Sequence, residues 1–396
     1  MIYLVLLFIL LLLSFIYDIN GKVKNRDFWY NVMLVVFILI AGLRWRLGLD
    51  TPNYLGSFYY TIPTLDVFSF KRYGIGEKPL WFLLNSVVKT LGLRFYVIQL
   101  IHATIVNVLI FKYIKKHSSY IFTCLFFYFT CFCYTEFNME IMKGSLSIAI
   151  CLFANDYVLE KKWIKGYTLY LLAFLFHPQT LIVALLPTLY FLRFNKMGLV
   201  FILGAFIFGY VAQSVLGEYL DMLEMLDEDI ADRADTYVNS DKFGGQIHSS
   251  LYILVLIVPW LFYGIVSLWY SKRHGASTQL LQLEPFIILG AIFMVAQMNM
   301  HIAYRFVDYF RIYYIIFFAE LFVNMMNCCT VLKKNVLYTR AIIIFIPLFL
   351  MVGANYYRRY KSYYPYSSVI ERKIDTKREA RYMRTQDRPH ANRDRY

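Results

Sequence analysis

Arg44-Trp45-Arg46-Leu47-Gly48-Leu49-Asp50-Thr51-Pro52-Asn53-Tyr54 follows directly on the apolar run Phe28 to Leu43, and this pairing decides the kind of fold to expect. The run reads as a helix that crosses a bilayer. The two arginines, the carboxylate and the tyrosine after it then sit at a membrane surface. A chain that only anchors itself has no use for such a cluster. One that handles an anionic, lipid-borne substrate needs cations and an acid at that depth.

Working outward, similar apolar runs recur from the first residue to about Asn355. With 59% hydrophobic and 17% charged residues over 396 positions, the chain reads as an all-α polytopic membrane protein and not as a soluble domain. Met1 to Tyr17 lacks a positive leader and a small-residue cleavage site, so it is expected to stay as a first helix. The domain reading is a transmembrane domain over 1–355 and a polar tail, rich in Tyr and Arg, over 356–396.

The net charge of +14 does not point to nucleic acid, because it recurs in short loops between apolar runs. Lys22, Lys24 and Arg26 form the first group, and Lys112, Lys115 and Lys116 the second. Lys161, Lys162 and Lys165 follow, then Arg193 with Lys196, Lys272 with Arg273, and Lys333, Lys334 and Arg340. Taken as cytoplasmic markers, these loops place the N-terminus outside and give about twelve spans. They lie near 1–17, 28–43, 96–114, 119–135, 139–159, 164–176, 178–193, 197–217, 248–270, 285–302, 306–327 and 337–355. Two long segments, 44–95 and 217–247, are then extracytoplasmic. Within the first, Pro79 to Gly92 is expected to lie in the interface as a short helix, because a crossing there flips every later basic loop outward. Its Lys89 and Arg94 then reach headgroups by snorkelling. The span count places the tail outside, although its arginines oppose that.

The cysteines Cys124, Cys131, Cys133, Cys151, Cys328 and Cys329 fall in or beside apolar runs with neither a zinc spacing nor a disulfide framework, and read as small hydrophobes in helix packing. No metal site is expected. No Gly-rich phosphate loop is present, which argues against a nucleotide cofactor. Energy must arrive with the substrate.

Four constellations carry candidate chemistry. Arg44 and Arg46 offer planar forks for phosphate oxygens, with Asp50 as base or orienting group; interfacial anchors paired with Asp50 are the plainer account. Glu77, ahead of Pro79, adds a carboxylate or simply starts a helix. Glu136, Glu140 and Lys143, at i, i+4 and i+7, lie along one face of a helix entering the membrane from outside, and either pair with each other or line a wet cavity. His177-Pro178 sits at a hinge, as a general base or a structural histidine. His301, Arg305 and Tyr309 repeat every four residues, so that one helical face presents an imidazole, a guanidinium and a phenol just inside the outer surface; Asp308 beside them is placed to pair with Arg305 at i+3. Under the loop-based topology all four fall on the outer side.

In order and spacing these motifs resemble the EpsG-like group of bacterial polysaccharide polymerases, related to the Wzy type. That group has an Arg-rich turn with Gly-x-Asp-x-x-x-Tyr, matched by Gly48 to Tyr54. A Glu opening a Leu-rich helix follows, as Glu77 to Asn85 does. Its next helix usually opens with Arg-Gln, where this chain has Lys143-Gly144. Then come a basic turn and a Phe-His pair, at Lys161-Lys162 and Phe176-His177, a late Arg before an aromatic helix, at Arg305 to Tyr314, and a closing Pro-Tyr, at Tyr364 to Tyr366. The resemblance covers residues 28 to about 368. Lys143 keeps the positive charge of the motif and loses the fork.

The resemblance implies a fold akin to the GT-C membrane glycosyltransferases, in the bacterial plasma membrane, with no nucleotide sugar and no metal. The implied activity is polymerisation, at the outer leaflet, of oligosaccharide repeat units carried on undecaprenyl pyrophosphate, for capsule, exopolysaccharide or O-antigen. Asp50, then His177 or Glu140, serves as acid or base. Arg44, Arg46, Lys143 and Arg305 hold the pyrophosphate, and Tyr54, Glu77 and Tyr309 belong to the substrate-binding set. Membrane lipid, a chain-length regulator and a flippase of the same pathway are the implied partners. A lipid-linked oligosaccharide flippase and a polysaccharide-modifying membrane acyltransferase remain as alternatives.

Overall fold

The structure, a computed structural model, describes residues 2–68, 78–224, 253–300, 303–328, 352–353, 356 and 362–372, with only the helix path given for 213–224. Among the described residues every element is helical, and the one β-type contact is an isolated antiparallel bridge between Arg44 and Ser368. Four helical stretches are long and apolar enough to cross a membrane: Ile2–Ile19, Phe95–His117, Val255–Arg273 and Thr278–Ala296. A fifth is a broken pair, Cys133–Met139 and Met142–Leu159, bent by 118°.

The chain divides into two compact units. The first comprises residues 1–116, 128–184 and 358–396. Its helices are α1 (Ile2–Leu13), α2 (Arg26–Gly42), α3 (Thr51–Gly56), α4 (Pro79–Thr90), α5 (Phe95–His117), α6 (Ile121–Thr130, shared with the second unit), α7 (Cys133–Met139), α8 (Met142–Leu159), α9 (Trp163–Phe176) and α10 (Thr180–Leu185). The buried face of α1 is Leu6, Leu10 and Leu13, the i, i+4, i+7 stripe of a helix with one packed side. Phe37 of α2 is fully buried, with ring centroids 4.5 Å from Tyr134 and 5.4 Å from Phe111. That aromatic cluster ties α2 to α5 and α7.

The second unit, residues 117–127 and 185–357, contains α11 (Lys196–Glu224), α12 (Val258–Arg273), α13 (Thr278–Leu281), α14 (Glu284–Ala296), α15 (Tyr304–Val307) and α16 (Arg311–Cys328). Tyr314 of α16 organises it. A Cβ added at Gly264 of α12 or at Gly290 of α14 would come within 2.2 Å and 2.6 Å of the Tyr314 ring. The ring therefore lies in a slot that only hydrogen side chains leave open, the small-residue device that lets helices approach closely in membranes. Its hydroxyl donates to the Ile287 carbonyl at 2.7 Å.

Several expected spans are shorter than the sequence reading drew them. The run 119–135 is interrupted, because α6 ends at Thr130 and Phe132 takes a left-handed φ of 63° before α7 begins. The run 178–193 becomes α10 plus a 3₁₀ turn, Leu186–Leu189, around Pro187. Conversely α11 continues past residue 217 to Glu224. The segment Pro79 to Gly92 forms the 12-residue α4, which rises ~18 Å and is too short to cross a ~30 Å hydrocarbon core. Lys89, expected to snorkel to headgroups, instead donates to the carbonyls of Tyr59 and Ile62, at 3.2 and 2.6 Å. Cys124, Cys131, Cys133 and Cys151 are buried and outside any disulfide. The expected span 337–355, the acidic segment from Asp227 to Gly245, the side chain of Cys328 and Cys329 fall outside the described side chains or residues.

Candidate functional site

Three turns far apart in sequence meet at one end of the first unit. The first is the turn after α2. Gly48 has a φ of 101°, a backbone conformation open to glycine, and a Cβ there would stand 2.3 Å from the Met139 carbonyl. Thr51 follows at the start of α3, its hydroxyl donating to the Leu47 carbonyl at 2.5 Å with the Met139 carbonyl 3.3 Å away. Met139 is the last residue of α7, so the early turn packs directly on the break between α7 and α8.

That break corrects one sequence expectation. Glu136 lies on α7, Glu140 is at the C-cap of α7, and Lys143 lies in the first turn of α8 beyond the 118° bend. The three do not share a helix face. The bend forms because α7 ends against the Gly48–Thr51 turn, a tertiary contact that the i, i+4, i+7 spacing does not reveal. Glu136 and Glu140 are nonetheless both buried.

Beyond the bend, the Lys143 ammonium lies 5.5 Å from the Tyr54 ring centroid and 6.0 Å from that of Trp81. The two rings meet edge to face at 5.5 Å. Lys143 is thus held by cation–π contacts to both the early turn and α4. Burial first, and then the Asp50 charge, push the Tyr54 phenol well above its ordinary range, while backbone amides of Lys143 and Met142 act in the opposite sense. Asp50 itself, half-buried, is the N-cap of α3. The neighbouring Gly144 is where the chain departs from Arg-Gln, and a Cβ there would lie 3.2 Å from the His177 ring carbon Cδ2. Gly144 leaves room for the imidazole, and so the Phe-His turn after α9 is the third member of the meeting.

Arg44 is 1% exposed. Its Nη1 donates to the Ala41 carbonyl at 2.5 Å and its Nη2 reaches the Met142 sulfur at 3.4 Å. Burial lowers its pKa to about 10, opposed by the phenols of Tyr134, Tyr3, Tyr363 and Tyr366, so it stays charged at neutral pH. Arg46 stacks on Trp45, 4.9 Å from the ring centroid, with a left-handed φ of 51°. Such a conformation costs a side-chain-bearing residue about 1–3 kcal/mol and persists where the surroundings fix it.

The tail joins the same end. Trp45 N–H donates to the Ser367 carbonyl and Val369 N–H to the Leu43 carbonyl, both at 2.8 Å, and Gly48 N–H donates to the Ser362 carbonyl at 3.3 Å. Tyr366, in the closing Tyr-Pro-Tyr, donates to the Ile40 carbonyl at 3.0 Å. These bonds place Ser362–Arg372 beside the Arg44 turn, at the same end of the unit. A cavity of about 220 Å³ opens there, lined by Arg44, Arg46, Arg94 and Arg372 together with Trp45, Tyr59 and Gln99, and no carboxylate is in its lining among the described residues.

Sequence reasoning missed Arg372, read Arg94 as a headgroup contact, and passed over His102. The last is fully buried in α5, with Nε2 3.0 Å from the Met142 carbonyl and 2.9 Å from the Ser145 hydroxyl. Gln99, His102 and Asn107 on one apolar helix were the available signal, since polar side chains inside a span face protein or water.

In the second unit Arg305 lies 5.8 Å from the Tyr304 ring centroid, and Tyr309 is buried. Arg305 and Tyr309 do not share one helix. The helix α15 ends at Val307 and α16 begins at Arg311, with His301 outside the described residues. Asp308 pairs with Arg311 at 3.0 Å. Glu77 also lies outside the described residues. A buried acid unremarked in the sequence, Glu284, takes Lys272 at 2.8 Å and Arg193 at 4.0 Å.

The class this defines is a helical membrane protein with an arginine-lined cavity beside carboxylates, a lysine and a histidine. The chain belongs to the EpsG family, whose model matches residues 27–368. Membership points to a polysaccharide polymerase of glycosyltransferase type. The matched range includes the three converging turns and the Tyr-Pro-Tyr, while Arg372 lies beyond it. No curated protein and no solved structure matches.

Proposed function

We propose that the protein polymerises oligosaccharide repeat units carried on undecaprenyl pyrophosphate, at the outer leaflet of a bacterial plasma membrane, as a multi-pass protein of about twelve spans resembling GT-C enzymes. The donor is the growing chain, joined through its anomeric carbon to the carrier's pyrophosphate. The acceptor is a hydroxyl at the non-reducing end of a fresh lipid-linked unit. As the new glycosidic C–O bond forms, the bond from the anomeric carbon to the pyrophosphate oxygen breaks. The hydroxyl proton passes to the Asp50 carboxylate, with His177 or Glu140 as the next choices. Arg44, Arg46 and Lys143 stabilise the departing pyrophosphate, where fixed cations in a water-poor site act most strongly. Tyr54 and Glu77 complete the glycan-binding set of the first unit, and Arg305 and Tyr309 are separate candidates on the second.

One observation carries this reading. The family's separate motifs converge within the first unit: Gly48 and Thr51 on Met139, Lys143 on Tyr54, Gly144 on His177, and the Tyr-Pro-Tyr segment on the Arg44 turn. A site that must align a carrier diphosphate with a hydroxyl needs such convergence.

The test is the set of lipid-linked products in a strain lacking the protein. Single repeat units in the outer leaflet are expected. Units trapped on the inner leaflet would contradict the reading in favour of a flippase, and full-length polymer lacking acyl groups would contradict it in favour of an acyltransferase.

A further inference from the structure

The cavity end of the first unit gathers more positive charge than the early turn supplies. Arg94, just before α5, and Arg372, at the end of the returning C-terminal segment, line the same cavity of about 220 Å³ as Arg44 and Arg46. Arg44 is buried and Arg46 half-buried, whereas Arg94 and Arg372 are exposed. The four therefore run from the depth of the cavity to its mouth.

Two features show that this is a built arrangement. Arg46 and Arg372 both stack on the Trp45 indole, 4.9 and 5.3 Å from its centroid. Two guanidiniums on one ring repel each other, and an anion between or above them relieves that cost. Both residues also hold left-handed backbone, φ 51° and 45°. Strain of this kind clusters at ligand clamps and is retained where neighbouring bonds fix it. Here the bonds are Trp45 N–H to the Ser367 carbonyl, Val369 N–H to the Leu43 carbonyl and the Arg372 Nε to the Val369 carbonyl at 3.1 Å.

We propose that Arg94 and Arg372 join Arg44 and Arg46 in a four-guanidinium pocket for a diphosphate group, which makes the C-terminal segment Ser362–Arg372 a wall of the substrate site. The flat fork of arginine pairs two phosphate oxygens at once, and a diphosphate offers enough oxygens to engage several forks. A diphosphate fits within a cavity of this volume. The assignment of the diphosphate to a lipid carrier rests on the polymerase reading above.

The full-length protein in phosphatidylcholine nanodiscs, titrated with inorganic pyrophosphate by calorimetry and thermal stabilisation, tests the pocket. Saturable binding is expected, falling as salt is raised. Arg94→Gln and Arg372→Gln are each expected to weaken it roughly tenfold, and the double variant to abolish it. Lys165→Gln, at the basic-loop end, should leave it unchanged. Arg372→Lys is the companion that separates the lost fork from any loosening of the C-terminal segment: it keeps the charge and loses the fork, and an intermediate loss is expected. Equal pyrophosphate affinity in the wild type and the double variant would overturn the proposal. So would stabilisation by phosphatidylglycerol nanodiscs together with indifference to pyrophosphate, which would mark a phospholipid headgroup site. Failure of the pocket leaves the lipid-linked products untouched. Normal polymer in the deletion strain would defeat the polymerase reading while pyrophosphate binding stood.

Discussion

The two ends of the first unit use their cations in opposite ways. At one end, Lys115 pairs with Asp27 at 2.8 Å, Lys116 with Asp156 at 2.7 Å and Glu160 at 3.4 Å, and Lys162 with Glu160 at 2.7 Å. Lys115 holds the Asp27 carboxyl below the ordinary carboxylate range, and Lys162 does the same first of all for Glu160. At the other end, four arginines line a cavity with no carboxylate among its described lining residues. The 23 residues of α5, rising ~35 Å, connect the two. Lysines matched to acids mark a solvated loop layer, while arginines gathered on a hollow mark a place for an anion.

Substitutions can break this contrast or sharpen it. The largest effect is expected from Arg44→Lys, which keeps the charge and removes the fork at the buried depth of the cavity. Polymer yield should fall roughly tenfold to a hundredfold, about 1.4–2.7 kcal/mol at the transition state, with normal protein levels in the membrane fraction. Near-normal polymer would leave Arg44 as a structural residue held by Ala41 and Met142. Gly48→Ala tests the turn that holds the site together. With φ at 101° and the Met139 carbonyl 2.3 Å from the new Cβ, a loss of roughly 2–5 kcal/mol is expected, read as a lower melting temperature in detergent. At the lysine end, Lys162→Ala should cost no more than ~1 kcal/mol, because exposed ion pairs contribute little, and leave polymer unchanged. A polymer defect there would erase the distinction between the ends.

How far the sequence revealed this depends on whether a feature is local or long-range. The membrane class follows from apolar runs, a local pattern, and in the first unit three of the loop lysines, Lys115, Lys116 and Lys162, pair with acids at one end. The helix break at Glu140-Ile141 was hidden, because Glu136, Glu140 and Lys143 have helical spacing and what stops the helix is a turn some ninety residues earlier, at Gly48 and Thr51. The same holds for Arg372. Composition made it one more charge in a polar tail, and its place in the cavity depends on hydrogen bonds from residues 362–369 back to residues 43–48. Gly144 is the instructive case of a departure from a motif. In sequence it is a lost Gln, and in space it is the gap that His177 fills.

The central claim is that this convergence of turns performs glycosyl transfer, with Asp50 taking the acceptor proton. The most direct measurement is polymer formation by the purified protein in nanodiscs supplied with lipid-linked repeat units, wild type against Asp50→Asn. The account predicts a ladder of lengthening products from the wild type and only the starting single unit from Asp50→Asn, with both proteins binding pyrophosphate alike. A full ladder from Asp50→Asn would contradict it and move the base to His177 or Glu140.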